Sequence, residues 1–184
     1  MVDPMTQSAP MNDIVTRRAG AEAIDRLKPL WLALHEHHQR VAPPAVYQSP
    51  EDSWSARRAS YERWLGEDGS FVVLAERRST TQRGDELVGY ALVEVLPGPD
   101  DTWVTGGLMA DVQSLSVAPG ARGHGIGTLL LDAVDAELAA AGIDDVFIGV
   151  LTGNADALRF YERRGYRPVM THLARFGADK RQKA

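Results

Sequence analysis

The chain has 184 residues, 44% hydrophobic and 24% charged, which is long enough for one domain with a real core. A net charge of −5 gives no general attraction to nucleic acid or anionic membranes, and no apolar run approaches the ~18 residues a membrane span needs. The absence of cysteine removes thiol nucleophiles, disulfides and Cys-based zinc sites, and it suits a reducing cytoplasm.

Residues 1–11 have no basic region followed by an apolar stretch, so they are not read as a signal peptide. They are expected to be a disordered leader, with the domain over residues 12–176 and a polar, fraying tail over 177–184. Ile14 and Val15 carry a short first strand from Asp13 to Arg17. A helix is expected from about Ala21 to Arg40, with Ile24, Leu27, Leu30, Trp31, Leu34 and His38 at helical spacing. Pro29 interrupts that pattern and predicts a kink, or two shorter helices. Val41-Ala42-Pro43-Pro44 closes the unit.

His35 and His38 lie one helical turn apart, so a metal pair is geometrically conceivable, but no further ligand cluster accompanies them. A second helix opens at Ser49-Pro50 and runs to about Glu67, with Ser49 or Ser53 as cap. Trp54, Arg58, Tyr61, Trp64 and Leu65 make an aromatic stripe whose plain reading is core, with a substrate-pocket wall as the alternative. Ser70–Arg77 and Glu86–Leu96 read as strands joined by a polar, hairpin-like link. Residues 97–107 are left as a loop or an edge extension.

The central stretch is Asp111 to Leu131. Val112, Leu115 and Val117 give it the content of a strand, and Pro119-Gly120 ends that strand. Arg122-Gly123-His124-Gly125-Ile126-Gly127 follows. Apolar residues then recur at 126, 129, 130, 133, 134 and 138, a half-buried helix stopped by Gly142. Glycines between a strand and a helix start let a ligand approach unpaired backbone N–H groups, which favours a phosphate or pyrophosphate. The spacing fits neither a P-loop, because Ile126-Gly127 stands where Lys-Ser/Thr is needed, nor a dinucleotide fingerprint, because position 128 is Thr.

Asp145–Leu151 is almost wholly apolar and reads as a strand buried on both faces beside a parallel neighbour. Residues 111–151 are then a right-handed βαβ crossover. Asn154 caps a helix over Ala155–Arg164, Gly165 closes it, and Tyr166–Phe176 is expected to return as a last strand or hairpin. The fold class is therefore α/β: a single-domain mixed sheet with a central βαβ unit.

The run RGHGIG resembles the (Gln/Arg)-x-x-Gly-x-(Gly/Ala) signature of the GNAT acetyltransferases, with Arg122, Gly125 and Gly127 in the fixed places. Asn154, Ala157, Phe160, Tyr161 and Gly165 are similar to that family's second motif, with Tyr166 for the usual Phe. The resemblance covers roughly residues 108–170. It implies an acyl-CoA N-acyltransferase-like fold and direct transfer of an acetyl group from acetyl-CoA to an amine, with no metal and no covalent enzyme intermediate.

It also implies that Leu115, Ser116 and Val117 hold the pantetheine arm and supply an oxyanion N–H. Arg122, Gly123, His124, Gly125, Ile126, Gly127 and Thr128 would hold the pyrophosphate, with Asn154 nearby. Tyr161 would protonate the departing thiolate, and His35 and His38 would contact the acceptor. Glu94 and Asp111 are the nearest acidic residues for a general base, since Gln113 stands where some relatives carry Glu. The competing reading is a non-catalytic acyl-CoA-binding module. Expected partners are acetyl-CoA and an amine acceptor, without nucleic acid or membrane, and a homodimer is left open.

Overall fold

The structure, a computed structural model, describes residues 13–42, 45–79, 84–99 and 102–175. The leader and tail expectations lie outside the described residues, as does the middle of the link at 78–85. The elements in chain order are β1 (Ile14–Ala19), α1 (Ile24–Val41), α2 (Pro50–Trp64), β2 (Phe71–Arg77), β3 (Glu86–Pro97), β4 (Leu108–Val117), α3 (Ile126–Ala141), β5 (Val146–Ile148) and α4 (Ala155–Arg163). They form one sheet in the order β1-β2-β3-β4-β5. The first four strands run antiparallel to their neighbours, and β5 is parallel to β4.

Strand alternation sends the sheet's apolar residues into two cores. Leu74, Tyr90 and Leu92 face α1 and α2, where Leu27, Trp31, Trp54 and Tyr61 meet them. Val73, Val93 and Val112 face α3, against Ile126, Leu130 and Val134. A buried carboxylate ties the first edge together: Glu76 on β2 pairs with Arg17 of β1 at 2.7 Å and Arg26 of α1 at 2.6 Å. Burial alone would raise this carboxyl, yet the hydrogen bonds from the two arginines carry it below its usual value.

Several expectations are corrected. Pro29 neither splits nor ends α1, which runs unbroken over 18 residues. Both Pro29 and Asp25, whose carbonyl loses its bond to the missing N–H, are on the solvent face. Ser49 is the α2 cap, accepting from the Asp52 N–H at 3.1 Å, while Ser53 is buried instead. The strand expected over Asp145–Leu151 is only three residues long, lies at the sheet edge, and is half-buried rather than covered on both faces. Residues 166–175 form no strand, and Val169, Met170 and Leu173 are exposed. A strand needs a neighbour's backbone, and β5 offers only a short one. Residues 102–107 are an irregular loop whose Gly106 N–H donates to Asp145 at 2.8 Å.

Candidate active site

The site begins with two irregularities of β4. In its pairing with β3, Leu92 lies opposite Ser114 and Val93 opposite Val112, so Gln113 is an extra residue in a β-bulge. On its other side, the ladder to β5 covers only Ala110–Val146, Asp111–Phe147 and Val112–Ile148. β4 continues to Val117, so beyond Val112 a wedge opens between β4 and the segment after β5. Leu115 and Val117 are packed toward the α3 core. Ser116 turns to the other face, its hydroxyl donating to the Leu30 carbonyl of α1 at 2.9 Å. Only its backbone is left for a ligand in the wedge.

At the end of β4, Pro119–Ala121 makes a 3-10 turn and the chain enters α3. Gly125 is the N-cap residue at φ +77°, a left-handed conformation that non-glycine residues pay for. Among the described residues, the backbone N–H groups from Gly123 to Thr128 donate to no backbone carbonyl. They surround the positive end of a 16-residue helix. Arg122 is exposed and is steered by its Nε, which donates to the Val117 carbonyl at 3.0 Å. His124 Nδ1 donates to the Arg122 carbonyl at 2.7 Å, which folds the loop on itself.

α4 is laid against this same helix end. A Cβ on Gly127 would come 3.4 Å from the Phe160 ring, and Arg164 is bound to Asp132 and Asp135 of α3, each at 2.8 Å. Asn154 accepts from the Ala157 N–H at 3.3 Å, so its carbonyl oxygen serves as the α4 cap. Tyr161 follows, 8% exposed and packed between Phe160 and Tyr166. Its hydroxyl has no hydrogen-bond partner among the described residues. Burial and the neighbouring Tyr166 push its pKa well up, so it holds its proton at any ordinary pH.

The opposite face of β4 carries polar side chains. Gln113 Nε2 donates to Glu94 at 2.7 Å and to Asp111 at 3.3 Å, and Glu94 lies directly across from Asp111. Burial and then the Glu94 charge raise the Asp111 pKa, making it the stronger proton acceptor than a free aspartate. Further along, the Tyr61 hydroxyl of α2 donates to Ser114 at 2.8 Å and meets the Tyr90 hydroxyl at 2.8 Å. Burial raises both phenols, so this is a fixed hydrogen-bond network and not a base.

The α1 histidines differ from one another. His35 is buried with both ring nitrogens engaged, Nδ1 with Ser53 at 3.2 Å and Nε2 with the Gln48 carbonyl at 3.1 Å. His38 has its edge on Trp31. Burial, then the charges of His37, Arg57 and His35, drive its pKa down to about 4. The folded state thus binds fewer protons than the unfolded chain between pH 6.5 and about 4, so stability present above 6.5 is lost as the pH falls through that window. His38→Gln should lose less stability than the native protein when urea midpoints at pH 7 and pH 4.5 are compared. A native and a variant curve that fall in parallel would reject this assignment.

One glycine joins the two sides. The segment after β5 passes so close to the end of α1 that a Cβ on Gly153 would lie 1.9 Å from the Val41 carbonyl oxygen. The last turn of α1, with His38, therefore borders the β5–α4 connection. Arg57 was not anticipated from the sequence. It shares the α2 face of Trp54, Tyr61 and Trp64, and the spacing 54, 57, 61, 64 was the available signal.

A strand that splays from its parallel neighbour, then a glycine turn presenting free N–H groups, then a tyrosine helix closing on that turn, is the arrangement expected for an acyl-CoA site. The profile of the acetyltransferase (GNAT) family matches residues 31–166. The chain belongs to the GNAT acetyltransferase family. It is 30% identical to a mycothiol acetyltransferase of Rhodococcus opacus, over 73% of this chain and 43% of that protein. The chain thus spans less than half the length of that relative. It is also 30% identical to a phosphinothricin N-acetyltransferase of Streptomyces coelicolor, over 84% of this chain and 83% of that one. The solved structure of an aminoglycoside N-acetyltransferase in complex with CoA superposes with a TM-score of 0.60 at 13% identity, covering 90% of this chain and 95% of that chain, a likeness of fold. No GNAT-like helix here is long and apolar enough to cross a membrane among the described residues, and none of their side chains groups three or more potential metal ligands.

Proposed function

We propose that this GNAT chain transfers the acetyl group of acetyl-CoA directly to an amine acceptor in the cytoplasm. The observation that carries the reading is the set of backbone N–H groups from Gly123 to Thr128, unpaired at the start of α3 and set beside the wedge between β4 and β5. Such a helix start fits a pyrophosphate, and a wedge lined by strand backbone fits an extended amide-bearing arm. The two relatives are named for different molecules, mycothiol and phosphinothricin, so the acceptor must be argued from this site.

Acetyl-CoA supplies the activated acyl group and the thiolate that leaves. The chain's own residues have three tasks. An ammonium with a pKa near ~10.4 must lose a proton before it can attack, and Asp111, with Glu94 and Gln113 around it, is the group we assign to receive it. A backbone N–H of Leu115–Val117, next to the bulge, donates to the charge developing on the acyl oxygen. Tyr161, held protonated and unpartnered, donates to the departing sulfur.

The test is thermal stability followed by turnover. Acetyl-CoA at ~100 times its Kd should stabilise the fold by about 2.7 kcal/mol, which for this chain length raises the Tm by roughly 5–10 °C. NAD and ATP at equal concentration should do less. Free-thiol release is then followed with a panel of amines, amino acids and peptides. Stabilisation by ATP or NAD but not by acetyl-CoA would refute the reading of the loop. Binding without thiol release from any acceptor would refute transfer.

A further inference from the structure

Arg57 is a cation without a counter-charge among the described residues. Its neighbour Arg58 is bonded to Asp25 at 3.0 Å and to Glu62 at 2.5 Å. Arg57 instead turns toward α1, where its guanidinium lies 4.1 Å above the Trp31 ring and 5.7 and 5.6 Å from those of Tyr61 and Trp64. It is half-buried and makes no ion pair or hydrogen bond among the described residues. The contacts with the rings leave its N–H groups, which match a carboxylate in a fork, without a hydrogen-bond acceptor among the described residues. In a chain of net charge −5 such a cation is not left over for want of acidic residues.

Arg57 lines an open depression of about 200 Å³ together with Gln48, Ser53, Ala56 and Ser60. No acidic side chain among the described residues lines it. Its volume is below the ~300–1,000 Å³ of sites that enclose a whole drug-sized ligand, so it suits one small polar group of a larger acceptor. Its place in the fold connects it to the reaction. Tyr61, beneath Arg57, reaches Ser114 of β4, and Trp31 borders His38, one turn before Val41 and the Gly153 contact.

We propose that Arg57 anchors a carboxylate of the acceptor, so that the amine acetylated is carried by an acidic molecule of the amino-acid or peptide class. This rests on the acetyl-transfer reading and specifies its substrate. The carboxylate takes the N–H groups of the guanidinium, and the amine extends toward β4. The protons of the nearby hydroxyls are already used, Ser53 on His35 and Ser60 on the Ala56 carbonyl, so the charge of Arg57 carries the recognition.

The experiment compares matched acceptors: glycine, β-alanine, 4-aminobutyrate, 6-aminohexanoate and lysine, each beside its own carboxamide, at saturating acetyl-CoA. At least one acid should exceed its amide by roughly 10–100-fold in kcat/KM, the span of a charge-assisted hydrogen bond. In Arg57→Gln that ratio should fall to about 2 or less, chiefly through KM, and Arg57→Lys should recover part of it, because the charge returns without the fork. Acetyl-CoA affinity by calorimetry should be the same in all three proteins. Equal turnover of acids and amides, turnover of amides alone or of neither series, or a preference that survives Arg57→Gln, each overturns the inference. Loss of acetyl-CoA binding in the native protein is a different result, which removes the transfer reading itself.

Discussion

Gly125→Val should weaken CoA binding by at least ~100-fold while the protein still folds. Two physical effects act together. The residue sits at φ +77°, where a β-branched side chain is strained, at a cost of roughly 1–3 kcal/mol. Relieving the strain turns the loop and moves the N–H groups around it out of their common focus. The added Cβ branch also stands where an anion must approach. The control is at the far end of the same helix. Gly142 has φ +69° and is exposed, so Gly142→Val carries comparable strain with no ligand near it. It should lower the Tm and leave CoA affinity within about twofold. Equal affinity losses in both variants would mean that stability alone was measured. Unchanged affinity in folded Gly125→Val would place the phosphates elsewhere.

Tyr161→Phe should lower kcat by at least ~10-fold and leave CoA affinity nearly intact. The hydroxyl bonds nothing in the described fold, so its removal takes away no structural hydrogen bond, and the ring that packs on Phe160 and Tyr166 is retained. What disappears is a donor needed once negative charge has moved to sulfur, an interaction of the transition state more than of the bound state. A CoA thiolate is already a fair leaving group near neutral pH, which is why the expected loss lies at the low end of the ~10²–10⁴-fold range for general acids or below it. Steady-state kinetics beside a CoA titration decide the matter. Full activity would make Tyr161 a packing residue and assign the proton to solvent.

Both predictions concern the part of the molecule that the sequence announces most clearly. The turn from β4 into α3 is local: a strand pattern, Pro119-Gly120, a glycine run and an amphipathic helix follow one another, and each constrains the next. The capping by Asn154 and the stop at Gly142 are local in the same way. The acceptor side is assembled from α1, α2 and β4, and nothing in the spacing of one element shows that Arg57 will find Trp31 or that Tyr61 will reach Ser114. Apolar content likewise suggested more strand than exists after Asp145. Strand length depends on how far the neighbour stays parallel, and β4 leaves β5 at Val112. Propensity makes Pro29 a kink or a boundary between two shorter helices, and its exposed position is what allows α1 to continue as one.

The close passage of Gly153 by Val41 gives the proposed coenzyme and acceptor compartments a common wall. On one side of that wall is the connection from β5 to the tyrosine helix, and on the other is the last turn of the helix that carries Trp31 and His38. A shift of the connection on filling the wedge would be felt at Val41, because a contact this tight has no slack to absorb it. Thermodynamic linkage then fixes the form of any communication. Whatever factor coenzyme occupancy lends to acceptor affinity, the acceptor must return to the coenzyme. Substitution at Gly153 would force the connection and the last turn of α1 apart, and its signature would be a changed order of binding in two-substrate kinetics.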